Sequence, residues 1–295
     1  MPELPEVETV KRGIAKFTIG KKILDVEVLN PKSFQASNNN IEAFLKGAKI
    51  INARRRAKVL IIDLSTEYSL VIHLKMTGQL VFRGNESWAA GHPTESFEND
   101  LPDRSTRVVF ELSDGAKLFF NDQRKFGWIK LLPTNQVMEL EFLKKVGPEP
   151  LEGNPHDEFL KRIRRHNGMV IKAAILNQST IAGIGNIYAD EALWGAKVNP
   201  STRVRDLTDK KLLEILDSVI EVMNRSIKSG GSTMKNYIKA DGSKGDYLEK
   251  FANVFRREGK ACSRCGEEII KTRVAGRGTH VCLGCQNSPH IDKNG

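Results

Sequence analysis

Met1-Pro-Glu-Leu-Pro-Glu-Val-Glu-Thr-Val10 opens the chain, and the organisation of the first half follows from it. Leu4, Val7, Val10, Ile14 and Phe17 recur every three to four positions, which predicts one amphipathic helix over this span. Pro5 suits a helix start, where its missing N–H has no partner to lose. Glu3, Glu6 and Glu8 lie where the positive end of a helix dipole favours carboxylates. The stretch is too acidic and too poor in apolar residues for a signal peptide. A capped surface helix accounts for all of this except Pro2. A small residue after the initiator normally permits its removal, so the mature chain is expected to begin with Pro2 as a free secondary amine. An α-amine titrates near pH ~8, which leaves much of it nucleophilic at neutral pH. The helix end lowers that value and the Glu cluster raises it, and the balance stays open. Such an amine can attack a carbonyl-like sugar carbon to form an iminium, with Glu3 alongside to handle protons.

The chain has 295 residues, enough for two domains with separate cores. Its 46 Lys+Arg against 36 Asp+Glu leave a net charge of +10, which implies a polyanionic partner. Nucleic acid is favoured over a membrane, because neither a long apolar segment nor a basic amphipathic anchor is visible. No targeting signal is evident and all four cysteines follow Lys260, so a cytoplasmic protein with a metal site is expected.

Beyond the first helix, Ile23–Leu29, Lys49–Arg54, Val59–Leu64, Ser69–Leu74, Arg107–Leu112, Lys117–Phe120 and Trp128–Leu132 read as strands. Ser113-Asp114-Gly115 is a hairpin turn, and a short helix is expected near Ile41–Leu45. The polar segment from Arg83 to Arg104 reads as a loop, in which Trp88 has no evident purpose. Gly147-Pro-Glu-Pro-Leu-Glu-Gly-Asn-Pro155 is a linker, and helices follow at about Asp157–His166, Ile171–Gln178, Asn186–Trp194 and Thr208–Ser229. The fold class is α+β, an N-terminal β-sandwich flanked by one helix and then a helical domain.

Cys262-Ser-Arg-Cys265 and Cys282-Leu-Gly-Cys285 have the spacing of two hairpin knuckles around an all-thiolate zinc. Two disulfides are the other reading. Four cysteine ligands leave no open position, so such a zinc is structural. A zinc deaminase also needs a His-x-Glu motif before its cysteines, and none is present. Arg273, Arg277 and His280 fall between the knuckles, where they serve either phosphates or solvent. Gly183 and Gly185, in Ala182-Gly-Ile-Gly-Asn186, permit positive φ and an anion nest, with Asn186 as the cap of the next helix. A plain turn between packed helices fits the same two glycines. Lys161-Arg-Ile-Arg-Arg-His166 adds charge upstream.

Taken in order, PELPEVETV (2–10), RRRAK (54–58), HLKMTG (73–78), NDQRKFG (121–127), GPEPL (147–151), AGIGNIYADE (182–191) and the cysteine ribbon resemble bacterial formamidopyrimidine-DNA glycosylase. The resemblance runs from Pro2 to Gln286 and implies a bifunctional repair enzyme that excises 8-oxoguanine and formamidopyrimidines from DNA. It implies a catalytic domain over 1–147, a linker over 148–155, a helix–two-turn–helix domain over 156–255, a zinc finger over 256–286 and a tail over 287–295. By the same resemblance Pro2 is the Schiff-base nucleophile, Glu3 the proton donor and Glu6 the residue that orients them. Lys58 contacts phosphate and assists β-elimination, and Arg277 grips phosphates and assists δ-elimination. Met76, Arg124 and Phe126 match the residues that fill the space left by an extruded nucleotide, with Arg124 facing the orphaned cytosine. Without the family, Met76 and Phe126 would read as core residues. Lys172 and Asn186 match phosphate contacts, and 230–247 matches the segment that closes over the extruded base.

Three positions depart from the family pattern. Asn177 stands for an Asp, Gly168 for a Lys of some members, and Arg104-Ser-Thr-Arg-Val108 for a stretch with two histidines. One of those histidines is a DNA contact in the family; Ser105 cannot take its role, which leaves Arg107 to do so. These departures bear on lesion preference and DNA affinity more than on the chemistry. A monomer acting on damaged duplex with one structural zinc is the expectation. The alternatives are an endonuclease VIII-like glycosylase for oxidised pyrimidines and a non-catalytic zinc-ribbon DNA-binding protein. A ribosome-associated zinc protein would explain the charge but not the terminus.

Overall fold

The first helix, α1, runs Leu4–Thr18 and buries Val7, Val10, Ile14 and Phe17 on one stripe, as the periodicity predicts. In this computed structural model the described residues are 2–231 and 251–287. The chain divides into two units, with the first boundary between Lys144 and Lys145.

In the first unit ten strands follow α1: β1 Ile23–Val28, β2 Phe34–Gln35, β3 Ile50–Arg56, β4 Val59–Leu64, β5 Tyr68–His73, β6 Gly78–Arg83, β7 Ser87–Gly91, β8 Thr106–Leu112, β9 Lys117–Asp122 and β10 Trp128–Pro133. They form two five-stranded sheets, ordered β1-β8-β9-β6-β7 and β2-β10-β5-β4-β3. Inward residues of both, such as Leu60, Ile72, Leu80, Phe110 and Phe120, share one core with the α1 stripe. The β8–β9 hairpin turns at Ser113–Gly115 as expected, with Gly115 at φ 78°. Ile41–Leu45 is helical, as one wide π-type turn.

The segment expected to be a loop differs. β7 occupies part of it and pairs with β6 through Phe82↔Trp88 and Leu80↔Ala90. Trp88 is 4% exposed and lies against α1, beside the Phe17 ring at 6.0 Å. Gly13 makes this possible, since a Cβ there would overlap the indole. Trp88 is therefore the core residue that locks the helix onto the sheet, and it is the absent side chain of Gly13 that admits it.

The second unit holds α2 His156–Ile163, α3 Ile171–Leu176, α4 Asn186–Gly195 and, up to Ser226, α5 Asp209–Lys228, each within a few residues of its predicted span. A hairpin of β11 Ile269–Val274 and β12 Arg277–Cys282 follows, turning at Ala275 and Gly276. Both turn residues have positive φ, 48° and 75°, the type I′ geometry that matches strand twist. Of the expected 230–247 segment, everything from Ser232 lies outside the described residues. Among the described residues no helix is long and apolar enough to cross a membrane.

Candidate active site and nucleic-acid interface

Pro2 and Glu3 are buried immediately before α1. The Glu3 N–H donates to Glu6 Oε2 at 2.8 Å, and the reciprocal pairing completes a capping box. Glu6 thereby fixes the backbone next to Pro2. Glu8, one turn on, accepts from Lys11 Nζ at 2.8 Å and Arg12 Nε at 3.0 Å. Arg55 Nε lies 3.4 Å from Glu8 Oε2, and Arg55 Nη1 donates to the Ala57 carbonyl at 3.0 Å. Burial pushes the Glu8 carboxyl up, but these cations more than offset it and hold its pKa below the ordinary value. The chain Glu8–Arg55–Ala57 ties α1 to the β3–β4 turn that carries Lys58. The sequence reading missed this link, because Glu8 and Arg55 look like surface charges.

Lys58 is buried at that turn, where Ala57 adopts a left-handed φ of 51°. The next residue, Val59, pairs with His73 across β4 and β5. Burial, with Lys75 and Lys58 nearby, pushes the His73 pKa down to about 3, so the ring is neutral throughout the physiological range. Its Nδ1 accepts from the Lys75 N–H at 3.0 Å, which puts the ring proton on Nε2. Below pH ~6.5 the unfolded chain takes up a proton here that the folded chain refuses, so stability present above that pH is lost as pH falls toward 3. By pH 5 the loss attributable to this ring amounts to about 2 kcal/mol. Urea midpoints of wild type and His73→Gln at pH 7 and pH 5 test this, with the variant expected to lose less on acidification.

The loop between β5 and β6 and the loop between β9 and β10 carry the next group. Met76 and Phe126 are 37% and 54% exposed, contrary to a core reading, and the Arg124 guanidinium lies over the Phe126 ring at 4.9 Å. Lys75 and Lys125, at the tips of the two loops, both have left-handed φ, 51° and 58°. Gly78 closes the first loop through its N–H to the Leu74 carbonyl at 2.8 Å, where any Cβ would overlap that carbonyl. Asp122, fully buried at the end of β9, accepts from the N–H groups of Arg124 at 3.2 Å and Gly127 at 2.6 Å, and from the Thr77 hydroxyl.

Arg107 is buried at the start of β8, its Nε donating to the Asp122 carbonyl at 2.8 Å and its Nη1 to the Thr106 carbonyl at 3.3 Å. It lines a cavity of about 680 Å³ together with His92, Ser96, Arg104, Ser105 and Gln123. Ser105, one of the departures from the family pattern, is spent on Asp103, to which both its N–H and its hydroxyl donate at 2.7 Å.

In the second unit the turn before α4 differs from expectation. Gly183 has φ 81°, but its N–H is taken by Gln178 Oε1 at 3.0 Å, and Gly185 is extended and is itself the cap of α4. Asn186 is the first helical residue and not the cap. Its Nδ2 donates to the Gly278 carbonyl at 2.9 Å. Asn177 keeps the acceptor an Asp would offer, receiving the Ser179 N–H at 3.0 Å.

Lys172 requires a correction. The resemblance assigns it to phosphate, yet it is 0% exposed, and its ammonium lies 2.6 Å from Asp190 Oδ1, 3.0 Å from the Gly278 carbonyl and 2.7 Å from Thr279 Oγ1. Two hydrogen bonds to β12 and an ion pair to Asp190 on α4 fasten that strand to the helices. Asp190 also receives the His280 N–H at 2.9 Å, which takes His280 away from the ribbon surface. Glu191 accepts the N–H groups of Asn253, Val254 and Phe255 and mounts the segment that leads into the finger.

The sulfurs of Cys262, Cys265, Cys282 and Cys285 all lie within 4.8 Å of one another. Cys262–Cys285 and Cys265–Cys282 separations of 3.7 and 3.4 Å are far above a disulfide bond, and all four are free thiols. They approach the edge of about 3.8 Å that a tetrahedron of Zn–S bonds requires. The residues fit a structural zinc, packed beside Val254, Ile269 and Trp194. Arg277 is exposed at the hairpin turn. Chelating the metal is expected to unfold this hairpin and weaken duplex binding at least tenfold, with zinc restoring it. Anisotropy titrations with measured metal content check this.

Three family models cover the chain. The formamidopyrimidine-DNA glycosylase N-terminal domain matches residues 1–129, the H2TH domain of the same enzyme 146–237, and a zinc finger found in FPG and IleRS 259–287. The formamidopyrimidine-DNA glycosylase of Pelotomaculum thermopropionicum is 41% identical over 287 residues, covering 97% of this chain and 99% of the relative. The chain belongs to the formamidopyrimidine-DNA glycosylase family. The Pediococcus pentosaceus glycosylase is 40% identical over 286 residues, with 97% and 99% covered. Among solved glycosylase structures, the Lactococcus lactis enzyme with abasic-site DNA aligns at TM-score 0.83 and 34% identity, covering 97% of this chain and 100% of that one. A MutM complex with DNA containing carbocyclic 8-oxo-G aligns at 0.82 and 34%, with the same coverage. The two structural alignments each cover 97% of the chain and so run through the sandwich, the helical region and the cysteine hairpin described above.

Proposed function

We propose that this chain is a DNA glycosylase and abasic-site lyase of base excision repair, acting on 8-oxoguanine and formamidopyrimidines in duplex DNA. The observation that carries the reading is the first turn of α1, where Glu6 holds the Glu3 backbone and so fixes the residue that bears the amine. The nitrogen of Pro2 bonds to C1′ of the damaged nucleotide, and the base leaves with the glycosidic electron pair and takes up a proton. Glu3 protonates O4′ as the sugar ring opens. Proline being a secondary amine, the product is an iminium with no N–H to lose. It stays cationic and withdraws electrons from C2′, whose proton is then lost with departure of the 3′ phosphate. Lys58 and Arg277 serve the phosphates during the two eliminations. Arg107 keeps Nη2, the donor not spent on a carbonyl, for a phosphate at its cavity. Asn186 serves the backbone near the lesion, and Met76, Arg124 and Phe126 enter the space that the nucleotide vacates. The exposure of two apolar side chains on strained loops supports that last assignment.

We assign 1–147 to catalysis, 156–255 to DNA binding and 256–286 to the finger. A monomer in the cytoplasm suits the thiolate metal site. Borohydride trapping on duplexes with 8-oxoguanine opposite cytosine, against thymine glycol opposite adenine, is the deciding experiment. A covalent adduct that forms preferentially with the first duplex is expected. Preference for the second would move the substrate to oxidised pyrimidines, and no adduct with either would reject the enzyme.

A further inference from the structure

We propose that Asp122 is the positioning residue that makes Met76, Arg124 and Phe126 one rigid wedge. The inference rests on reading those three side chains as the group that fills the vacated space. They come from two loops far apart in sequence, paired at their ends through Gly78↔Asp122 and His73↔Trp128, whose exposed interiors lie outside the ladders and are more mobile than the strands. Here one buried carboxylate binds both. Asp122 Oδ1 takes the Thr77 hydroxyl, next to Met76, and the Arg124 N–H, while Oδ2 takes the Gly127 N–H at 2.6 Å, next to Phe126. Thr77 Oγ1 in turn accepts the Arg124 N–H at 3.0 Å, so the two loops also share that proton. The far side of the first loop is held by the Lys75 N–H on His73.

The left-handed backbones of Lys75 and Lys125 show what the clamp opposes. A residue with a Cβ avoids that region, so each loop left to itself would relax. With the loop backbones held at Thr77, Arg124 and Gly127, less ordering is left to be done when the side chains enter the duplex, and extrusion of the paired lesion is favoured by that amount. An Asp after a strand commonly caps a turn through its own second-next N–H, and Asp122 does this for Arg124. A local cap does not reach Thr77, 45 residues earlier; that bond, with the Arg124 N–H on Thr77 Oγ1, couples the loop interiors beyond the strand pairs at their ends.

The test compares two substrates, a duplex with 8-oxoguanine paired to cytosine and one with a preformed abasic site. Extrusion is costly only in the first, since a missing base has no pairing to break. Asp122→Asn replaces one acceptor with an NH₂ that faces donors. Single-turnover excision of the paired lesion is expected to fall about tenfold, and nicking at the abasic site about threefold or less. Thr77→Val, which removes only the bridge, is expected to show the same selective loss and carries the test should Asp122→Asn not fold. Thr77→Ser keeps the hydroxyl and is expected to restore the wild-type ratio. Met76→Ala and Arg124→Ala report on the wedge itself. Selective loss there with equal or no loss in Asp122→Asn and Thr77→Val overturns the clamp and leaves the wedge reading standing. No selectivity in Met76→Ala or Arg124→Ala overturns the wedge reading, and the clamp falls with it.

Discussion

Pro2→Leu yields no borohydride-trapped adduct and loses lesion excision by more than about a hundredfold, whereas Pro2→Gly retains a weak adduct. The reasoning is positional. A large residue after the initiator keeps Met1 in place, which turns the reacting nitrogen into an amide and moves the free amine one residue, about 3.8 Å, along the chain. Amide nitrogen is no nucleophile, and a misplacement of even 1 Å costs on the order of a hundredfold. Glycine leaves the amine free but as a primary amine on a backbone without the pyrrolidine constraint on φ, so the nitrogen is less basic and less fixed. Glu6 still anchors the Glu3 N–H in either variant, so the helix start and its fold are expected to persist. Mass spectrometry of each purified chain establishes which terminus is present, and trapping on 8-oxoguanine duplex reads the chemistry. Full excision by a chain shown to retain Met1 would remove the covalent route.

What could be read in advance was set by whether a residue's role is local. α1 followed from a period of three to four residues, and the β8–β9 turn followed from Ser113-Asp-Gly. β6 and β7 escaped for a physical reason. Leu80 and Phe82 face the main core while Val81, Ala89, Phe97 and Phe119 form a second cluster on the other face of the sheet. A strand buried on both faces shows no alternation, and Ala89-Ala90-Gly91 carries little strand propensity of its own. The four cysteines were legible because metal ligation fixes spacing. Asp122, Glu8 and Glu191 were not, since a carboxylate that organises distant loops looks in sequence like any other charge. The Gly183–Gly185 pair shows the opposite error: two glycines suggested two outward N–H groups, but Gln178 occupies one and the other residue is extended.

Lys172 supplies the sharpest case, because its two readings differ in what they move. Were it a phosphate contact, Lys172→Met would leave the fold intact and reduce the slope of log binding constant against log salt by about one. The geometry leads to the reverse expectation. With the ammonium gone, Asp190 keeps a carboxylate at 0% exposure with His280 as its remaining partner among the described residues, and the Gly278 carbonyl and Thr279 hydroxyl lose a donor. Breaking a buried pair from one side costs about 3–5 kcal/mol, which for a domain of this size lowers Tm by roughly 10 °C. Duplex affinity falls as the hairpin loosens, while the salt slope of the molecules that remain folded stays at the wild-type value. Lys172→Met with Asp190→Asn removes both charges and is expected to recover part of the lost Tm, a coupling that a surface contact would not produce. Arg277→Ala is the complementary variant, exposed at the hairpin turn and expected to flatten the salt slope with Tm unchanged. Calorimetry and salt-dependent anisotropy on the three variants separate a residue that holds the finger from one that holds DNA.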